Sequence, residues 1–367
     1  MLDLDPNFQG LFVSGGAVAN LVALGAARQY AFEQLGIDTA RDGMPEMRRW
    51  RLYASSEVHH VIFRAAGILG LGRRNISLVP VDEEMRIDVA ALEATLDNDA
   101  AAGLIPVALI ANAGTTNTGA IDPIAQMVDI TRRRKIWLHV DGAYGLFGRL
   151  DPRVAALFDR VVEADSLVVD PHKWLAAPVG SGAVFVRDRR LQERAFTTEP
   201  ADYAEGAMIK GEINSTFDHL GDDYLQIGPE MSARSRGVAV WAILKEIGAE
   251  GVRDRVVRHC SFARRVFELA SGDERLEPLS QPTLSICCYR YRADDLNESA
   301  LDDLNAEIAQ RLRMEGIVPS TTRVAGKYAI RPCFINPRTT MMDVERMVAR
   351  TRAIGDALTQ ENRSQTR

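Results

Sequence analysis

The 367-residue sequence is poor in cysteine and has no long apolar run, and both absences narrow its class. Its four cysteines form no CxxC pair, so we expect neither disulfide staples nor a metal site, and a cytoplasmic location is favoured. No stretch of about 18 apolar residues is present, so no transmembrane helix is predicted. The first ten residues lack the basic and apolar regions of a signal peptide, so none is predicted.

The charge balance excludes further classes of partner. The formal net charge is −6, with 46% apolar and 26% charged residues, which is typical of a globular protein. A mildly acidic surface gives no reason to expect binding to nucleic acid or to an anionic membrane. We therefore expect a small molecule as the main partner.

Short apolar runs alternate with helical patterns over the first two-thirds of the chain. The predicted strands are Leu52–Ser55, Ile76–Val81, Pro106–Ala111, Ile136–Asp141, Leu167–Val169 and Gly182–Val186. The predicted helices are Ala17–Tyr30, His60–Leu71, Asp88–Leu96 and Asp122–Lys135. Several strands lack polar alternation, as buried parallel strands do. The pattern predicts an α/β fold, with a mainly parallel sheet sandwiched by helices.

The pattern changes after about Gly248. A long helical region is predicted to continue to about Ser271. Two strands and two helices are predicted beyond it, at Leu284–Tyr291, Tyr328–Ile335, Asp302–Glu315 and Thr340–Leu358. We therefore predict a large domain over residues 1–248 and a smaller α+β domain over residues 249–367.

Two chemically active side chains follow neighbouring buried strands. Asp141 ends the strand WLHVD, and Lys173 lies in the loop DPHKWL after the next strand. Taken singly, Asp141 is as readily a helix cap or turn residue, and a lone lysine is usually a solvated surface charge. Together they fit pyridoxal 5′-phosphate, which needs a lysine for its aldehyde and a carboxylate for its pyridine nitrogen. Ligands of such sheets bind beyond the carboxyl ends of the strands.

Three further loops supply candidate contacts. Gly15 and Gly16 precede the first helix, where free backbone N–H groups bind anions such as phosphate, although a plain turn is the commoner use of such a pair. His59 and His60 follow a strand, where His59 is a candidate for stacking on a ring and either residue also suits a helix start. Hydroxyl groups in the loop from Asn112 to Asn117 suit a ring oxygen or a substrate carboxylate, or an ordinary turn.

This constellation resembles the group II pyridoxal-phosphate-dependent amino-acid decarboxylases, which include aromatic-amino-acid and glutamate decarboxylases. The stretches that carry the resemblance are SGGAVANLVALGAAR, SSEVHHVIFRAAGILGLG, NAGTTNTGAIDPI, WLHVDGAYG and DPHKWLAAPVGSG. They occur in the family's order between about Gly10 and Gly251. The resemblance implies the type I, aspartate-aminotransferase-like fold and a homodimer with shared active sites.

The resemblance also implies a role for each matching residue. Lys173 would form the Schiff base, and Asp141 would pair with the pyridine nitrogen. Ala143 would pack under the ring, and His59 would stack on its other face. The remaining implied contacts are those of Gly15, Gly16 and Ala17 with the phosphate, of His172 near the phosphate, and of Thr116 near the ring substituents.

Two departures from the family pattern bear on these expectations. Ala17 and Val18 stand where relatives usually have Ser or Thr and then Glu, so one side-chain contact to phosphate is lost, at a cost of roughly 1.5–3 kcal/mol. The sequence also starts almost at the phosphate loop. We therefore expect it to lack the N-terminal segment with which relatives embrace the partner subunit and line the substrate pocket.

The predicted function is decarboxylation of an L-amino acid, of aromatic or of acidic or diamino type, to an amine and carbon dioxide. Relatives protonate the product from a tyrosine on a mobile loop, and Tyr224 is the first candidate here, with Tyr203 second, next to the polar segment 204–223. Phe217 lies in that segment, and relatives with Phe for this Tyr form aldehydes. The alternatives are another type I enzyme, either an aldehyde-forming decarboxylase or a carbon–carbon lyase, and a truncated, non-catalytic relative.

Overall fold

The computed structural model describes residues 4–46, 49–197 and 224–365. Within these residues the chain forms one seven-stranded and one four-stranded sheet, both packed against helices. The strands are β1 (Gln9–Val13), β2 (Trp50–Ser55), β3 (Ile76–Val79), β4 (Ile105–Asn112), β5 (Trp137–Asp141), β6 (Ser166–Val169), β7 (Gly182–Val186), β8 (Leu276–Pro278), β9 (Tyr289–Tyr291), β10 (Ser320–Val324) and β11 (Lys327–Arg331). The α-helices are α1 (Gly16–Glu33), α2 (Val61–Ile68), α3 (Val89–Ala101), α4 (Ile124–Arg134), α5 (Arg189–Phe196), α6 (Arg236–Ser271), α7 (Glu298–Met314) and α8 (Met341–Gln365).

The large sheet is parallel in its centre and antiparallel at one edge. Its strand order is β1-β7-β6-β5-β4-β2-β3. Strands β2 to β6 pair in parallel, whereas β7 pairs antiparallel with both β6 and β1. Strand β1 therefore runs in the direction of β6, and the loops after β1, β2, β4, β5 and β6 all open at one edge. The mainly parallel sheet that the sequence predicts is confirmed, and β1 is a strand that the prediction omits.

Helices cover both faces of this sheet because its strands are apolar on both faces. On β2, Leu52 and Ala54 belong to a buried cluster with residues of α1 and α2, whereas Tyr53 belongs to the cluster on the opposite face. Alternate side chains of a strand point to opposite faces, so a strand buried on both sides shows no polar alternation. This is the pattern from which the strands are predicted.

The smaller sheet is antiparallel, with the order β10-β11-β9-β8, and shares a separate core with α7, α8 and the second half of α6. Helix α6 is interrupted at Gly248, whose φ of 66° and ψ of 179° are not helical. The predicted boundary between the two domains, at residues 248 and 249, coincides with this interruption and stays a prediction. No helix in the described part of the chain is both long and apolar enough to cross a bilayer.

The predicted strand Leu284–Tyr291 is much shorter in the structure, where only Tyr289–Tyr291 is a strand. Of the preceding residues, Ile286 makes only an isolated antiparallel bridge to Cys333, and Leu284, Ile286 and Cys288 pack into a core cluster of the large sheet. Leu284 is fully buried, and a Cβ atom at Gly145 would lie 2.7 Å from its Cδ1 atom, with one at Gly114 3.0 Å away. Glycines on the loops after β4 and β5 therefore form a socket for Leu284.

Candidate active site at the carboxyl edge of the large sheet

Asp141 lies at the carboxyl end of β5 with only 8% of its surface exposed. Its Oδ1 atom accepts a hydrogen bond from the backbone N–H of Ala143 at 3.1 Å, and its Oδ2 atom accepts one from Asn20 Nδ2 at 3.3 Å. The carboxylate is thus held by one donor from its own loop and one from α1. Ala143 is also buried, and its place under a bound ring stays a prediction.

Lys173 lies in the turn after β6, the neighbour of β5 in the sheet. Its Nζ atom is 3.2 Å from Asp170 Oδ2, and about a third of its side chain is exposed (32%). The turn is closed by a bond from the Lys173 N–H to the Asp170 carbonyl. The amine is therefore paired with a carboxylate at one end of its own turn and remains open to solvent.

His59 follows β2 and is half buried beside the same two groups. Its Nδ1 atom accepts a hydrogen bond from the Val61 N–H at 3.2 Å. Burial lowers the pKa of His59, the Asp141 carboxylate opposes this change, and the nearby charges of His60 and Lys173 add to it. The neutral imidazole is thus favoured at pH 7, and the ring lies near enough to Asp141 and Lys173 for both charges to act on it.

The loop from β1 into α1 contains two adjacent glycines, Gly15 and Gly16. Gly15 caps α1 with φ 141°, and no side chain caps this helix. A Cβ atom on Gly16 would lie 2.8 Å from Asp170 Oδ2, and one on Gly182 would lie 2.6 Å from Gly15. The Val18 and Ala19 N–H groups donate to the Gly15 carbonyl, so the N–H groups of Gly16 and Ala17 are the ones left for an anion in the first turn of α1.

His172 lies beside this loop, and its place near the phosphate stays a prediction. Its Cε1 atom would be 3.5 Å from a Cβ atom on Gly15, and its Nδ1 atom bonds to the Ser181 carbonyl at 2.6 Å. Because a carbonyl only accepts, Nδ1 carries the proton. The Nε2 atom faces Asp170 Oδ2 at 3.6 Å.

The sequence prediction gives no role to Asp170, which the structure places at the centre of the site. It is 2% exposed, and its Oδ1 atom has no hydrogen-bond partner among the described residues. Burial raises the pKa of Asp170, and Lys173 and His172 oppose the change. The signal available in the sequence is the Asp that ends the apolar strand SLVVD, the same pattern that identifies Asp141.

The remaining candidates have no observed contact with these groups among the described residues, or fall outside those residues. Thr116 is exposed on the loop after β4, and its role stays a prediction. Tyr224 is 59% exposed and lines an apolar groove of about 460 Å³ beside β1, so its role also stays a prediction. Tyr203, Phe217 and the segment 204–223 lie outside the described residues.

The donor set at this edge fits pyridoxal phosphate. An accessible amine and a buried, oriented carboxylate follow adjacent strands, a neutral imidazole lies near both, and an uncapped helix start faces the same edge. These are the groups required for the aldehyde, the ring nitrogen, the ring face and the phosphate. The fold and site together define a type I pyridoxal-phosphate enzyme.

Comparison with known proteins narrows this class. The family model described as the pyridoxal-dependent decarboxylase conserved domain matches residues 3–292. Aromatic-L-amino-acid decarboxylase of Bacillus atrophaeus is 31% identical over 97% of this chain and 71% of the relative. L-2,4-diaminobutyrate decarboxylase of Acinetobacter baumannii is 26% identical over 96% of this chain and 70% of the relative.

Solved structures agree with this assignment. The structure of Oryza sativa TDC with PLP and tryptamine has a TM-score of 0.84 and 26% identity over 97% of this chain and 73% of that one. This chain belongs to the pyridoxal-dependent decarboxylase family, whose members are carboxy-lyases. This chain spans 71% of the length of the Bacillus protein, 66% of a rice tryptophan decarboxylase and 57% of an Arabidopsis tyrosine decarboxylase.

Proposed function

We propose that this chain removes the α-carboxyl group of an aromatic L-amino acid, using pyridoxal phosphate attached to Lys173, and releases carbon dioxide and an amine. The observation that carries the proposal is the convergence of the Lys173 amine, the Asp141 carboxylate and the His59 imidazole at one edge of the sheet. The choice of substrate class is supported by the relatives of this chain, which include aromatic-amino-acid, tryptophan and tyrosine decarboxylases.

Each residue has a distinct task in this proposal. When bound, the cofactor supplies a cationic ring that accepts the electron pair left as the bond from Cα to the carboxylate breaks. Lys173 holds the cofactor and yields its place to the substrate amine. The Asp141 carboxylate keeps the ring nitrogen protonated. The Asn20 and Ala143 N–H groups donate to this carboxylate and fix its orientation.

The remaining residues bind the phosphate and cover the two faces of the cofactor ring. His59 covers one face of the ring, and Ala143 covers the other with a side chain small enough to allow close approach. The Gly15–Gly16 loop and the Ala17 N–H hold the phosphate with His172 beside them, and Thr116 lies near the ring substituents. Tyr224 is the proposed proton donor to Cα, with Tyr203 as the second candidate.

The assembly and location are also proposals. We infer a homodimer whose subunits share their active sites, supported by membership of the family and by the apolar groove that Tyr224 lines in the described part of the chain. A cytoplasmic location is supported by the free thiols of Cys260, Cys287, Cys288 and Cys333.

Borohydride reduction of the purified full chain with pyridoxal phosphate tests the attachment site. We expect peptide mapping to find the reduced label on Lys173, and we expect Lys173→Ala to remove both the label and the carbon dioxide release. Lys245→Ala is the matched control, because Lys245 is an exposed lysine on α6, where loss of the amine leaves the site intact. A label on any other lysine would overturn the assignment.

The same protein, assayed with a panel of L-amino acids, tests the substrate class and the product. We expect aromatic amino acids to give carbon dioxide and the corresponding amine in equal amounts. Turnover confined to acidic or diamino substrates would contradict the substrate class. Aldehyde and ammonia as products would contradict amine formation while leaving the role of Lys173 intact.

A further inference from the structure

A continuous line of buried polar side chains runs behind Asp141, away from the cofactor site. Trp137 Nε1 is 2.8 Å from Ser166 Oγ, which is 2.9 Å from His139 Nδ1. His139 Nε2 is 2.7 Å from Asn20 Oδ1, and Asn20 Nδ2 is 3.3 Å from Asp141 Oδ2. His139, Asn20 and Ser166 are fully buried, between α1 and strands β5 and β6.

The direction of every hydrogen bond in this line follows from its acceptor end. Asn20 Nδ2 faces the Asp141 carboxylate and also the Gly16 carbonyl at 2.8 Å, and both of these groups accept. The amide oxygen of Asn20 must therefore face His139, so His139 Nε2 carries the proton. A neutral imidazole then has an unprotonated Nδ1, which accepts from the Ser166 hydroxyl.

The opposite end of the line is compatible with this direction. The indole N–H of Trp137 only donates, so it uses one lone pair of Ser166 Oγ, and the hydroxyl proton remains available for His139 Nδ1. Burial lowers the pKa of His139 to about 4, which keeps the ring neutral at pH 7. Each group in the line is therefore satisfied in one arrangement, with donors pointing towards Asp141.

Asn20 is the residue at which this line reaches both ends of the proposed cofactor site. Its single amide nitrogen bonds to Asp141, which serves the ring nitrogen, and to Gly16, which begins the phosphate-binding helix. It lies on a buried face of α1 among alanine, valine and leucine residues, where a polar group is costly unless every hydrogen bond is made. His139 makes the bond that fixes which way this amide points.

We propose that Asn20 and His139 are positioning residues, which orient the Asp141 carboxylate towards the cofactor ring and tie it to the phosphate-binding turn. The proposal rests on the cofactor placement argued above. A hydrogen bond to a charged group contributes enough that its loss weakens binding by roughly tenfold or more. Residues that orient the ligands of a bound group have comparable effects in metal sites.

Two substitutions of His139 test the direction of the line. His139→Gln extends an amide that reaches the position of Nε2 and donates to Asn20, whereas the shorter amide of His139→Asn ends near Nδ1. We expect His139→Asn and Asn20→Ala each to weaken the binding of pyridoxal phosphate tenfold or more, measured by equilibrium dialysis, and to shift the absorbance maximum of the bound cofactor. We expect His139→Gln to stay within threefold of the wild type.

Asn305→Ala is the matched control, because Asn305 is an equally buried asparagine that bonds to Tyr291 in the small domain. We expect it to lower thermal stability and leave cofactor affinity and absorbance unchanged. Wild-type affinity and absorbance in Asn20→Ala would overturn the proposal. Equal losses in His139→Gln and His139→Asn, or a loss of affinity in the control, would show a merely structural role and would also overturn it.

A measurement on the wild-type chain keeps the proposal testable if a variant does not fold. Histidine ¹⁵N NMR of the cofactor-free protein should show His139 as the neutral tautomer with the proton on Nε2. A proton on Nδ1 would overturn the proposal. If the wild type does not bind pyridoxal phosphate, the proposed function is overturned as well. If the wild type binds the cofactor and the variants bind it equally well, only the present inference is overturned.

Discussion

Gly16 shows at the scale of one residue how little space the site allows. We expect Gly16→Ala to lower the free energy of unfolding by about 1–3 kcal/mol, the cost of overpacking a tight site. The added Cβ atom would lie 2.8 Å from Asp170 Oδ2, and Asp170 is held by its contacts with Lys173 and His172. Urea unfolding of the cofactor-free protein measures the change.

The double variant Gly16→Ala/Asp170→Ala is the control for this mechanism. Removing the carboxylate removes the collision, so the cost of the glycine substitution should largely disappear in the Asp170→Ala background. Strictly additive costs would show that the destabilisation has another origin.

The residues that touch the proposed cofactor could be predicted from the sequence because each follows a strand within a short motif. Asp141, Lys173 and His59 are examples, because their motifs can be identified in the sequence without knowledge of the packing. Asn20 and His139 could not be assigned in the same way. Their roles depend on the contact of α1 with β5, which joins residues 119 positions apart.

Among the elements, helix α6 depends on the backbone of one glycine. Gly248 has φ 66° and ψ 179°, a combination that is almost confined to glycine, and no atom lies within 4 Å of a Cβ placed there. Gly248→Ala should therefore lower the free energy of unfolding by about 1–3 kcal/mol through backbone strain alone. Thermal or urea unfolding measures this cost.

Gly248→Asn distinguishes strain of this kind from a common left-handed turn. Asparagine is tolerated in the ordinary left-handed region, where ψ is about 45°, but not at ψ 179°. We expect Asn to cost as much as Ala. A mild effect of Asn would place Gly248 in an ordinary turn.

The elements themselves could largely be predicted, and the exceptions have physical causes. The central strands are buried on both faces, so their apolar runs are continuous and bounded by turns. Strand β1 was not predicted because an antiparallel edge strand is defined by its pairing with β7, which the local pattern does not contain. The strand predicted at Leu284–Tyr291 is wrong at its start, because apolar side chains there serve contacts between domains.

At the scale of the whole molecule, buried histidines make the folded state sensitive to acid. Burial lowers the pKa of His139 and of His259 to about 4, whereas an unfolded histidine titrates near 6.5. The unfolded state binds more protons below pH 6.5, so stability falls as pH decreases towards 4. The loss at pH 5 is about 2 kcal/mol for each histidine.

Replacement of one histidine isolates this effect. The loss of unfolding free energy between pH 7 and pH 5, measured by urea unfolding, should be smaller in His259→Gln by about 2 kcal/mol. The comparison is needed because burial raises the pKa of Asp122 to about 6, and its protonation stabilises the fold over part of the same range. An unchanged pH dependence in the variant would contradict a buried, neutral His259.

The socket for Leu284 has a consequence for how such proteins diverge. Because Gly114 and Gly145 leave room for that one side chain, the fit between the two domains is fixed jointly by residues far apart in the chain. A chimera that takes its small domain from a relative must therefore inherit a compatible pair of glycines with it. The small domain and these two loops must therefore be exchanged together, so recombination inside this family is constrained at the same edge of the sheet that carries the proposed cofactor site.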